Sequence, residues 1–249
     1  MMGRLLAAGM LAGLVAGFLS FGFFKLAGEP AVERAIALER AMEAAKAKDA
    51  AEPVEPELFS RSVQSGIGLL TGVAVYGAAL GGFFAIAFAV AYRRLGDFSG
   101  FATAMLLAVS GFIAVHLAPA LKYPAAPPAV GAAETIGART NLYFAFLFIS
   151  LAAIIAAGVL RLRLENPLGR MKAALVSIAA YVAVMSCVAF ALPGVNETPE
   201  NFPAAALWQF RAASLGGQAL MWAVLGLAFG AAAERLLARE EASLRPKLR

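Results

Sequence analysis

Phe101-Ala-Thr-Ala-Met-Leu-Leu-Ala-Val-Ser-Gly-Phe-Ile-Ala-Val-His-Leu-Ala-Pro-Ala-Leu121 carries no Asp, Glu, Lys or Arg. An apolar run of about 20 residues matches the roughly 30 Å hydrocarbon thickness of a bilayer when it is helical. The stretch therefore reads as a membrane-spanning helix. It also holds His116, the one histidine of the chain, three residues before Pro119. A titratable ring near the end of an apolar helix marks a functional site by default. Neutral imidazole is also a good ligand for divalent transition metals. The plainer reading is a helix-end histidine bonded to a free carbonyl or to interfacial water.

Five further apolar runs surround this one. The spans fall at about 5–26, 63–91, 101–121, 141–160, 173–192 and 213–233. The whole chain of 249 residues is 61% hydrophobic and 15% charged, and its mean hydropathy is +0.76. Soluble domains are about 45–50% apolar and about 25% charged. The expected fold class is therefore all-α, a single membrane domain of about six spans covering 1–249. The first span has Arg4 in front of it, as a signal peptide would. Its apolar core exceeds the roughly 7–15 residues of a signal peptide and runs to Lys25, which predicts an uncleaved anchor.

Charge sets the orientation. The short loops 93–100 and 161–172, with the termini, hold twelve basic residues against five acids (Asp97, Glu165, Glu234, Glu240, Glu241). The positive-inside rule then places both termini in the cytoplasm, including a cytoplasmic tail at 234–249. The formal charge of +5 is explained by these loops, so nucleic acid is not an expected partner. The lipid bilayer is. The only long polar segment, 28–62, falls on the outer side. Residues 31–51 are rich in Ala, Glu, Lys and Arg, which predicts an amphipathic helix lying on a surface. Pro53 and Pro56 end it. Its acids (Glu29, Glu33, Glu39, Glu43, Asp49, Glu52, Glu55, Glu57) form either a solvated face or a cation-attracting patch; they have no ligand spacing.

Glycines supply packing surfaces. Gly9, Gly13 and Gly17 recur every fourth residue, and Gly66, Gly68, Gly72, Gly77, Gly81 and Gly82 give the second span a like surface, on which Gly72 is expected to pack. Small residues at this spacing let helix backbones approach closely in a membrane. Six spans permit an inverted repeat of three plus three, but the two halves show no convincing self-similarity.

Functional chemistry is sparse. CxxC, HExxH, EF-hand and Walker patterns do not occur, so the chain does not itself hydrolyse ATP to drive transport. A single cysteine, Cys187, precludes an intrachain disulfide. Ser110 and His116 are six residues apart, about 240° around a helix, so they cannot form a catalytic dyad. Ser214 lacks a base and its orienting group. No enzymatic activity is expected, no catalytic residue is assigned, and no cofactor is expected to be permanently bound.

Depth groups the remaining polar side chains. At about 1.5 Å per residue, His116 lies about 22 Å beyond Phe101. Cys187 is equally far beyond Lys172, with Met185 beside it. Gln218 and Met221 on the last span and Ser20 on the first fall near the same level, and Met105 shares the His116 face further in. Imidazole, thiol and thioether ligands suit a weak site for a late first-row divalent ion. Each of these sulfur residues also suits plain packing. Glu134 and Arg139, in the loop after Pro119, complete the polar set.

Several blocks resemble a known family. Gly111-Phe-x-x-x-His-Leu-Ala-Pro-Ala-Leu121, the Pro-rich loop 123–128 and Arg139 before an aromatic span resemble the CbtA family of predicted cobalt transporter subunits. So do Arg4-Leu-Leu-Ala-Ala-Gly-x-x-Ala-Gly13 and Phe210-x-Ala-Ala-Ser-Leu-x-x-x-x-x-Met-Trp-x-x-Leu-Gly226. The resemblance implies a bacterial inner-membrane protein that passes divalent cobalt. It implies a small single-span partner of CbtB type, whose histidine-rich end supplies metal ligands, and it allows a homo-oligomer. The family is described with five spans where these residues read as six. The loops here are poor in histidine. The alternative function is a non-transporting scaffold that packs partner helices through its glycine stripes, with a structural His116.

Overall fold

In a computed structural model, the residues described are 1–46, 59–128, 130–200 and 202–244. Among them there is no strand. Six helices are long and apolar enough to cross a membrane: Met2–Ala41, Arg61–Ala91, Gly100–Lys122, Ile136–Leu168, Arg170–Ala191 and Ala204–Ser243. The chain is an all-α bundle of six such helices, not five. Each contains its expected apolar run to within a residue. The first and last reach 40 residues, about 60 Å, twice the hydrocarbon thickness. They therefore project beyond the apolar layer, because helix-forming Ala, Glu, Arg and Leu continue where hydropathy falls.

Three of the six are interrupted by π turns. Helix α1 (Met2–Phe23) passes through one at Phe24–Gly28 into α2 (Glu29–Lys46). A short α3 (Arg61–Val63) passes through Gln64–Gly68 into α4 (Leu69–Ala91). Helix α5 (Gly100–Phe112) passes through Ile113–Leu117 into α6 (Ala118–Lys122). The third explains how Pro119 is accommodated. Proline lacks an amide hydrogen and its ring collides with the carbonyl four residues earlier. The turn just before it widens instead of breaking, which is what π turns do within α-helices. Pro119 thus gives a widened turn where a proline favours a break, and the turn contains His116.

The remaining helices are α7 (Ile136–Leu168), α8 (Arg170–Ala191) and α9 (Ala204–Leu244). Gly169 alone joins α7 to α8, with φ +78°, a left-handed value that favours glycine. The start of α5 is doubly capped. Ser99 Oγ accepts from the Ala102 amide at 3.1 Å, and Glu234 on α9 accepts from the Phe101 amide at 2.8 Å. Two amides that would otherwise lack partners at a helix start are satisfied.

The main core joins α1, α4, α5 and α9. It buries Leu5, Ala12, Ala16, Phe84, Phe88, Ala104, Ala108, Trp222, Leu225 and Phe229. Phe84 and Phe88 both stand edge-on to Phe229, with ring centres 5.3 and 5.1 Å away. The α1–α4 contact is antiparallel and nearly free of side chains. A Cβ placed on Gly13 would overlap the Gly77 carbonyl, and one on Gly9 the Gly81 carbonyl. One on Gly17 would stand 2.8 Å from Val73 O. Gly72 lies off this contact, exposed and with nothing within 4 Å of an added Cβ. A second layer, α7 with α8, buries Phe146, Tyr181 and Met185 and reaches the third helix through Ile113, Ala118 and Tyr123.

The polar segment differs from expectation. Helix α2 continues the first span and packs against the start of α9, burying Ala35 with Phe202 and Ala206. It is not a separate helix lying on a surface, since those apolar residues find a protein partner. Glu29 pairs with Arg61, and Lys25 Nζ donates to Ser65 O at 3.0 Å and Oγ at 3.2 Å. These contacts tie the first two π turns together. Asp49, Glu52, Pro53, Glu55, Pro56 and Glu57, and the tail 245–249, lie outside the described residues.

Candidate functional site

The antiparallel order puts two loops, 123–135 and 192–203, at the end of the bundle that holds His116. Between them and the helices lies a cavity of about 980 Å³. Its wall includes His116 and Ala120 from the third span, Arg139 and Tyr143 from α7, Glu197 from the loop, and Arg211, Ser214 and Gln218 from α9. Ser214 and Gln218 are four residues apart and Arg211 is three before Ser214. That is the spacing of one helix face.

His116 is positioned from two sides. Tyr76 Oη on α4 lies 3.2 Å from its Nε2. The Trp222 ring on α9 stands edge-on to it, with centres 6.1 Å apart. Trp222 is itself held by Gly111, whose missing side chain leaves the space the indole fills. With Nε2 on the tyrosine hydroxyl, Nδ1 makes no hydrogen bond among the described residues. A ligating histidine typically has one nitrogen oriented by a neighbour and the other open to the metal.

Two polar side-chain atoms of α9 are buried and unpartnered: Gln218 Oε1, of a residue in the cavity wall, and Trp222 Nε1. Buried polar groups are nearly always paired, with protein, ordered water or a ligand, so an orphaned acceptor in a cavity wall fits a water or a polar guest there.

At the mouth, Arg139 Nε lies 3.4 Å from Glu197 Oε2, and an Arg139 amine donates to Ala132 O at 3.1 Å. Hydrogen bonds from the Thr135 side chain and the Ala132 amide, and then the Arg139 charge, hold the Glu197 carboxyl below its usual range. A carboxyl with a lowered folded pKa stabilises the fold above its unfolded pKa and loses that contribution as pH falls through the folded value. Glu197→Ala is therefore expected to lower the melting temperature at pH 7. The difference from the parent chain should vanish in acid, below the ordinary carboxylate range. A difference that persists unchanged there would mean that the contact is not ionic.

The other sequence candidates are dispersed. Cys187 is exposed on α8. Met185 is buried between Phe146 and Tyr181. Met221 lies in the main core, and Met105 packs beside Gly226. None of the four lines the cavity. Ser20 is buried at the same level but faces α9, where it donates to Gly217 O at 3.4 Å. Glu134 is exposed outside the wall. Among the described residues no three His, Cys, Asp or Glu side chains gather to hold a metal. Sequence reasoning missed Tyr76, Trp222 and Arg211 as a set, because their convergence depends on how helices α4, α5 and α9 face one another.

Six helices long and apolar enough to span a membrane, with a mostly apolar cavity carrying a few polar groups between loops at one end, define a polytopic integral membrane protein. Residues 2–234 match the family model described as "Probable cobalt transporter subunit (CbtA)", and the chain belongs to that family. No curated protein and no solved structure matches the chain.

Proposed function

We propose that this chain is the membrane subunit through which divalent cobalt passes, and that the ion is taken up in the cavity beside His116. Family membership supplies the cargo. The observation that carries the site is the imidazole in a cavity wall, with one nitrogen oriented by Tyr76 and the other unpartnered. Transport requires a site that releases its ion, so one strong ligand suits passage better than a closed set of four. The scaffold reading uses the same glycine stripes but gives no role to the unpartnered Gln218 oxygen. No reacting group is assigned, and the chain works as a carrier subunit without catalysis.

The short-loop charge bias supports an orientation with both termini in the cytoplasm of a bacterial inner membrane, and the cavity then opens outward. Reporter fusions after Leu244 and within 47–58 should mark opposite sides of the membrane. The same side for both would sink the six-span topology, and opposite sides with the tail outside would reverse the proposed direction of entry. A CbtB-type single-span subunit and a second copy of the chain are the proposed partners. Cellular cobalt uptake with the chain present or absent tests the function. Uptake unaffected by the chain, with its partner present, would remove it.

A further inference from the structure

We infer that the cavity takes the ion as an anionic carboxylate chelate and not as the bare hydrated dication; the inference rests on the proposed function above. Charge is the first ground. The charged groups of the wall are Arg139, Arg211 and Glu197. Glu197 is already engaged by Arg139 and by the Ala132 amide at 2.8 Å. Arg211 donates through Nε to Ala125 O at 3.3 Å and has no carboxylate partner among the described residues. The wall thus carries one uncompensated guanidinium, which repels a dication and presents further N–H groups in the planar geometry that binds a carboxylate.

Ligand supply is the second ground. A hydrated ion gives up its waters only where several protein ligands replace them, and here one imidazole is offered. A chelator brings its own oxygens, and His116 needs only to fill one remaining position. Size is the third. Each water occupies about 30 Å³, so a six-water complex fills roughly 200 Å³, about a fifth of the cavity of about 980 Å³. Leu121, Ile136, Phe144 and Leu215 line the rest, which suits a carbon skeleton. The unpartnered Gln218 Oε1 is matched by a hydroxyl of a hydroxy-carboxylate.

The test is equilibrium dialysis of the purified full chain in detergent, with radioactive cobalt(II) alone or with citrate in slight excess. The citrate complex should bind at least roughly tenfold more tightly than the free ion, the margin of a charge-assisted bidentate pair. Arg211→Gln should erase that margin and Arg211→Lys should keep part of it. If free cobalt binds as tightly as the complex in the parent chain, the inference is overturned while the proposed function stands. A margin that survives Arg211→Gln overturns the assignment of the carboxylate to Arg211. Binding of neither form removes the proposed function together with the inference.

Discussion

Gly13→Leu is expected to abolish folded protein that can be extracted in detergent. The new Cβ would overlap the Gly77 carbonyl, which belongs to the middle of α4 and cannot swing aside as a side chain could. Overpacking a core against side chains costs about 1–3 kcal/mol. Here the obstacle is backbone, so relief requires the two helices to separate along their length. Separation gives up the Gly9–Gly81 and Gly17–Val73 contacts as well and uncovers Ala12 and Ala16. Against a total stability of about 5–15 kcal/mol, that loss is large. Gly72→Leu is the control. It lies on the same helix, five residues before Gly77, and meets nothing within 4 Å. It should extract and elute like the parent chain. Equal monodisperse yield for both variants in size-exclusion chromatography would show that α1 and α4 are not packed backbone to backbone.

His116→Ala is expected to reduce cobalt uptake at least roughly tenfold while membrane insertion and yield stay normal. The ring lies at a cavity wall, so its removal mainly enlarges a space that is already open and takes from the four-helix core only one edge contact to Trp222. The freed Tyr76 hydroxyl can rebind water there. Tyr76→Phe keeps the ligand and removes only the group that orients it. Loss of an orienting partner typically costs 10–100-fold in metal affinity, so this variant should raise the cobalt concentration needed for half-maximal uptake more than it lowers the maximum rate. Normal uptake by His116→Ala would make the histidine structural and return weight to the scaffold reading. Failure of that variant to accumulate would show that the ring serves the fold.

The spans were legible because hydropathy is a one-dimensional property and six long apolar runs, five of them without a charge, have no other stable use. The glycine register of α1 was legible for a similar reason: spacing of four on a helix is one face whatever the partner. Which glycines of α4 it meets was not, since Gly72 and Gly77 carry the same composition signal and differ only in azimuth. The same limit dispersed the supposed metal set. Residue spacing places His116 and Cys187 at one depth but says nothing about direction around the bundle, and Cys187 faces outward. Pro119 announced an irregularity, and the choice of a π turn over a break depends on neighbours that hold the helix on both sides. Helix α2 was legible as a helix. Its docking on Phe202 and Ala206 was not, because an amphipathic face serves a membrane surface and a protein groove equally well.

The central claim is that the transported ion contacts the imidazole in the cavity. X-ray absorption at the cobalt edge tests it most directly, on purified protein loaded with one equivalent of cobalt(II), once as the free ion and once as its citrate complex, and isolated through a tag without histidine. The chain has a single histidine, so imidazole scattering in the cobalt shell can come only from His116. The parent chain should show that scattering and His116→Ala should lack it, with oxygen ligands in its place. A parent spectrum with a shell of oxygen or sulfur alone, identical to that of His116→Ala, would contradict the account.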